Sequence, residues 1–143
     1  MAFIFTLKFL KIAAVSLLIF VLLDFLWLAV VASKMYRQSL GYLAELDPDG
    51  KIVFNIPMGL LAQFAISITL SVFISLVIQI DNRLVAALGT GAFLGLMMYV
   101  TYDFTNLSFV KGWPLWISLI DVTWGAVQGA LAGLYVFYFT RWF

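Results

Sequence analysis

Four long runs of apolar residues set the pattern of this chain, and most of its charged residues fall outside them. The runs fall at about 12–31, 56–80, 84–102 and 113–139, with one sizeable interval, 34–55, after the first. Each supplies the ~20 residues, at ~1.5 Å of rise apiece, that a helix needs to cross a bilayer. The pattern predicts an all-α fold: one transmembrane domain over 1–143, built as an integral membrane four-helix bundle with both termini on the same side.

The punctuation agrees. Asp47-Pro48-Asp49-Gly50 reads as a tight turn, because proline fixes φ and glycine accepts positive φ. Asn55 suits the N-cap of the second span, with Pro57 in a first turn that has no use for its missing N–H. The interval 81–83, Asp81-Asn82-Arg83, is so short that the second and third spans must be antiparallel neighbours. Trp113-Pro114 opens the fourth span, and Tyr138, Arg141 and Trp142 close it as an interfacial aromatic belt with a basic anchor. The first run follows Lys8 and Lys11 and ends near Val30-Val31-Ala32, like a cleavable leader, but it is longer than the ~7–15 residues of a leader's apolar core and contains Asp24 and Trp27. It is expected to be a retained span.

Two sets of small or polar residues recur at helical spacing. Gln63, Ser67, Ser71, Ser75 and Gln79 form one ridge of the second span, a packing seam on the simpler reading and a hydrophilic route on the sharper one. Gly91 and Gly95, and Gly125, Gly129 and Gly133, are small-xxx-small ridges that let helix backbones approach, within the chain or in a homo-oligomer or another membrane partner.

Composition narrows the chemistry. At 65% hydrophobic and 10% charged residues, the chain departs far from the balance of about half apolar and a quarter charged in soluble domains. Cysteine and histidine are absent, which removes disulfides, thiolate nucleophiles, Ser-His triads and imidazole metal sites. A metal, if held, would be held by oxygen, which favours magnesium, calcium or manganese, although no ligand set for one is evident. A net charge of +1 without a basic cluster leaves no footprint for nucleic acid, and the glycine spacing makes no phosphate cradle. Lys8, Lys11, Arg83 and Arg141 fall on the side of the termini and Lys34, Arg37, Lys51 and Lys111 on the other. The weight of those closest to the span ends leans towards termini inside.

What polar chemistry there is concentrates in 99–125 and in Asp24. Asp24 lies about 7 residues, ~10 Å, and Asp121 about 8 residues, ~12 Å, from the span ends facing the 34–55 interval. They are expected at matching depth. Asp103 is expected to end the third span on that same side. A carboxylate there meets the negative end of the helix dipole, so a cation such as Lys111, Arg37 or Lys34 is expected beside it. Asp81 belongs to the opposite turn and reads as a cap.

A central Asp costs about 2.5–3.5 kcal/mol to insert, while each Leu, Ile, Phe or Val returns only ~0.3–0.6. Retaining two therefore calls for protonation, a cation, or hydrogen bonds from Trp, Tyr, Thr105, Asn106 or Gln128. Asp24 and Trp27, and again Asp121 and Trp124, share the spacing Asp-x-x-Trp, which puts carboxylate and indole on one helix face. Chance would supply roughly 0.2 such pairs in this composition. Tyr99, Tyr102, Asp103 and Asn106 share a face of the third span. The candidate ligand-binding set is thus Asp24, Trp27, Tyr99, Tyr102, Asp103, Thr105, Asn106, Asp121 and Trp124.

At these residues the chain resembles DUF2177, a family of small bacterial integral membrane proteins. The resemblance rests on Asp24-x-x-Trp27-Leu28, Tyr36 with Leu40-Gly41, Tyr99-x-x-Tyr102-Asp103-x-Thr105-Asn106, Trp113-Pro114 and Asp121-x-x-Trp124-Gly125, and covers nearly the whole chain. It implies a multi-pass protein of the bacterial inner membrane and carries no activity with it. The second span departs from the family pattern, with Gln63-Phe64 where a Phe-Tyr pair is expected.

Three functions fit these residues. The first is a pocket that binds membrane lipid or a small ligand and, with two carboxylates in different protonation states, acts on it by acid–base chemistry. The second is a proton- or cation-coupled transport component, and the third a structural or accessory membrane subunit.

Overall fold

The computed structural model describes residues 2–143. A 3-10 turn, Ala2–Phe5, leads into α1, Leu7–Leu26, whose N-cap Thr6 accepts a hydrogen bond from the Phe9 N–H at 3.2 Å. The helix then widens into one π-turn, Trp27–Val31, so the first span runs from Leu7 to Val31. There follow α2, Ser33–Leu40, then α3, Ile56–Ile80, α4, Leu84–Phe109, and α5, Leu115–Trp142. Four helices long and apolar enough to cross a membrane form the predicted all-helical bundle.

Several boundaries differ from those expected. The first span begins at Leu7 rather than near residue 12, because Thr6 caps it. The third does not stop at Tyr102: α4 carries its polar segment 103–109 on as helix until Gly112, at φ +85°, turns the chain back. The fourth is helical from Leu115 to Trp142, with Trp113-Pro114 lying before its first turn. The interval 34–55 is not all loop, since α2 occupies its start. Beyond α2, Leu46 and Ile52 pair in an isolated antiparallel bridge around the 47–50 turn, where Gly50 has φ +73°.

Each spanning helix is apolar on nearly every side, as expected where lipid rather than water is the surroundings. Leu18, Leu22, Phe25, Val30, Phe93 and Leu119 are all exposed. The buried core is built instead from Phe20, Leu70, Ile74, Ala87, Ala132 and Val136, together with small and polar residues. Ser67, Ser71 and Ser75 are buried along α3 as a packing seam, and Ser16 is buried on α1.

The tightest contact is between α4 and α5, and glycine makes it. A Cβ on Gly91 would strike the carbonyl oxygen of Gly129, one on Gly95 that of Gly125, and one on Gly133 that of Ala87. The five glycines expected to serve assembly therefore face one another inside the chain. Dispersion between closely set backbones replaces the hydrophobic drive that lipid does not supply.

Side-chain bonds at each end fix the topology. Lys8 Nζ donates to the Thr140 carbonyl at 2.7 Å, and Arg141 Nη2 donates to Asn82 Oδ1 at 2.6 Å. The start of α1, the 81–83 turn and the end of α5 thus share one end of the bundle. Asp81 caps α3 at that end, paired with Arg83 at 2.6 Å. At the other end, the Tyr42 hydroxyl donates to the Gly112 carbonyl at 2.6 Å and ties the segment after α2 to the α4–α5 turn.

Candidate functional site

Asp24, near the end of α1, is only 5% exposed, and its carboxylate collects donors from three other helices. Gln63 Nε2 of α3 donates to Oδ2 and Trp124 Nε1 of α5 donates to Oδ1 at 3.2 Å. The Tyr99 hydroxyl of α4 lies 3.5 Å from Oδ1 and 3.1 Å from Gln128 Oε1. Gly125 makes room for that tyrosine, since a Cβ there would meet its ring at 2.5 Å. Gln128 is fully buried, and its Nε2 donates to the Phe20 carbonyl of α1 at 3.3 Å. One carboxylate thus organises all four spans, with hydrogen bonds replacing the water it gave up on burial.

Asp121 is served by a residue outside the candidate set that spacing suggested. The Tyr36 hydroxyl of α2 donates to Asp121 Oδ1 and accepts from Trp27 Nε1 at 3.4 Å. The two Asp-x-x-Trp motifs are therefore crossed. Trp124 of the second motif serves Asp24 of the first directly, and Trp27 of the first serves Asp121 of the second through Tyr36. Their indoles stack, with centroids 4.5 Å apart and planes 6° from parallel. The π-turn begins at Trp27, and α2 follows it closely enough to return Tyr36 over the carboxylates.

Asp103 is not at a helix end. It lies six residues before Phe109, as Asp121 lies six after Leu115, which places both ~9 Å inside their helices. It is fully buried, and neither of its oxygens has a hydrogen-bond partner, although Trp113 and Ser118 stand beside it. The expected cation is absent: among the described residues, ion pairs join only Lys51 to Asp49 and Arg83 to Asp81. The Trp113 indole instead donates to Ser118 Oγ at 3.0 Å and packs edge-on to Tyr102, centroids 6.0 Å apart.

These side chains border a cavity of about 660 Å³. Of the sequence-derived candidates, Asp24, Trp27, Tyr99, Tyr102, Asp103, Asp121 and Trp124 line it. Thr105 and Asn106 do not: Thr105 is exposed, and its carbonyl accepts from Ser108 Oγ at 2.6 Å, while Asn106 keeps an unpartnered Nδ2. Tyr36, Arg37, Lys51 and Gln63 also line the cavity. The sequence signal for Gln63 is its place at the carboxylate end of the serine ridge. For Tyr36 and Arg37 it is the amphipathic stretch after the first span. Among the described residues, no three Asp or Glu side chains come together in a group that could hold a metal ion.

Comparison with known families places this architecture. The model of the family described as Predicted membrane protein (DUF2177) matches residues 9–138, from the first turn of α1 almost to the end of α5, and the chain belongs to that family. No curated protein and no solved structure matches it.

Proposed function

We propose that this chain binds a lipid or a small amphipathic ligand in the cavity between α1, α2, α3, α4 and α5, within a bacterial inner membrane. The observation that carries the reading is the cavity itself, about 660 Å³ and lined both by carboxylates, tyrosines and a glutamine and by Leu28, Ile66, Met98 and Phe54. That volume lies within the ~300–1,000 Å³ usual for small-molecule sites, and such sites pair apolar walls with a few convergent polar groups. An occupant with a polar head and an apolar body satisfies both parts. The helical spans support the inner-membrane reading, since outer-membrane proteins of bacteria are closed barrels, as does the resemblance to a bacterial family.

The acid–base possibility belongs to the same cavity, whose two crossed motifs hold Asp24 and Asp121 in unequal surroundings. Asp24 has three donors around it and Asp121 one.

The test is native mass spectrometry with lipid extraction on gently purified protein, wild type against the Asp24→Asn/Asp121→Asn double variant. A specific molecule retained by wild type and lost from a variant of unchanged thermal midpoint supports the reading. The same unselective lipid in both removes it.

A further inference from the structure

Resting on the ligand-binding reading of the same cavity, we infer that its polar end takes a primary ammonium carried on a phosphodiester, the head group of an aminophospholipid.

Several polar atoms of the cavity wall lack a partner. Gln63 Oε1 and both oxygens of Asp103 are buried without one, and the second oxygen of Asp121 has no hydrogen bond among the described residues. All four are acceptors on residues that line the cavity. Three donors that line the cavity are already committed: Gln63 Nε2 and Trp124 Nε1 to Asp24, the Tyr36 hydroxyl to Asp121. Turning the Gln63 amide over would set its oxygen against the Asp24 carboxylate, so the network itself holds Oε1 away from Asp24. An unmet acceptor in a dry site is costly, and more so when it is charged. Among the described residues these four acceptors therefore have neither a hydrogen-bond donor nor a paired cation, and an occupant can bring both.

An ammonium with three N–H groups supplies both at once. A quaternary ammonium has the charge and no donor, and depends on aromatic faces around it. Here the facing surfaces of Trp27 and Trp124 are closed against each other at 4.5 Å, with no room for a cation between them. The Asp103 oxygens and Gln63 Oε1 are shielded by their neighbours, so they contribute field, while Asp121 makes the contact.

The phosphate follows from the cations of the same wall. Arg37 on α2 and Lys51 beyond it are exposed and line the cavity. Arg37 has no ion pair among the described residues, and Lys51 has only Asp49 at 4.0 Å with both side chains in solvent. A guanidinium free of a carboxylate is matched to phosphate oxygens. Acceptors in the helices and cations at the exposed loop side give the charge order of a zwitterionic head group, with the apolar wall left for its chains.

The test uses the wild-type full chain in detergent micelles, loaded in turn with phosphatidylethanolamine, phosphatidylcholine and phosphatidylglycerol of identical acyl chains, and with water-soluble glycerophosphoethanolamine. Retention is read by native mass spectrometry. The expected result is that phosphatidylethanolamine is held about tenfold or more above the other two lipids, the factor that ~1.4 kcal/mol of satisfied acceptor gives. Asp121→Asn is expected to reduce that preference, and Arg37→Gln to weaken all three lipids while leaving the preference in place. Glycerophosphoethanolamine held as well as the lipid supports the head-group chemistry with a soluble source. Phosphatidylcholine equal to phosphatidylethanolamine, or phosphatidylglycerol ranked first, overturns the ammonium assignment and leaves lipid binding standing. No retention of any of the four by wild type overturns both.

Discussion

Trp27 and Trp124, from opposite ends of the sequence, lie face to face with planes 6° apart, each next to the carboxylate of the other's motif. The stack joins α1 to α5 at the depth where two acids must be kept in a membrane. Trp124→Phe keeps an aromatic face and removes the donor to Asp24, so it is expected to destabilise by about 1–2 kcal/mol. Trp124→Ala removes the stack as well and is expected to cost about 3 kcal/mol or more. Unfolding in mixed micelles measures both, and equal losses would show that the indole N–H contributes nothing.

The α4–α5 seam separates glycines that are needed from those that are not. Gly129→Ala drives a Cβ into the Gly91 carbonyl and is expected to cost about 1–3 kcal/mol or to part the helices. Gly89→Ala has nothing within 4 Å of the new methyl and is expected to be neutral or to stabilise by up to about 1 kcal/mol through helix propensity. A matched pair of unfolding curves decides it. Similar losses in the two variants would contradict the close approach.

Tyr42 and Gly112 hold the segment after α2 against the α4–α5 turn. Tyr42→Phe deletes the 2.6 Å bond and is expected to cost about 1 kcal/mol locally. Gly112→Ala strains a backbone at φ +85° and brings a Cβ to 3.1 Å from the Tyr42 hydroxyl. Both are expected to speed proteolysis within 41–55 while leaving the spans intact. Unchanged cleavage would mean that the segment is held by other contacts.

The 81–83 turn makes a pH-dependent contribution to stability. Hydrogen bonds from Arg83, aided by its charge, hold the Asp81 carboxyl below its ordinary value of 3.8. A depressed folded value means that the contribution is fully present above that ordinary value and is lost as the pH falls through the lower folded one. Asp81→Asn is therefore expected to lower the thermal midpoint slightly at neutral pH, with the gap to wild type closing as the pH drops below about 4. A gap that widens in acid would refute the pairing.

The proposed ligand gives a prediction for Tyr36, which alone joins Trp27 to Asp121. Tyr36→Phe is expected to reduce lipid retention more than it reduces stability, because the ring stays in place while the Asp121 carboxylate is no longer held in position. Retention that merely tracks the thermal midpoint would give Tyr36 a packing role only.

Much of the architecture is legible in the order of residues. Four spans, their antiparallel order and the shared end of the termini follow from run length and from a turn as short as 81–83, because a bilayer leaves helices few alternatives. Asp24 and Asp121 can be matched in depth by counting residues, since helical rise is constant. Their two Asp-x-x-Trp faces follow from helical spacing.

Other features come only from packing. Hydropathy ends the third span where polar residues begin, yet α4 continues through Asp103 to Phe109, so an acid expected at the surface lies buried. The π-turn at Trp27–Val31 has no glycine or proline to announce it. Nor do local rules reveal that Tyr36 folds back onto Asp121, or that the glycine ridges spend themselves on each other. Each helix, and the face each residue occupies on it, is written in the chain, because backbone periodicity is local. Which faces meet is settled by tertiary packing, where the close fit of four helices and the cost of an unpartnered carboxylate act across the whole chain at once.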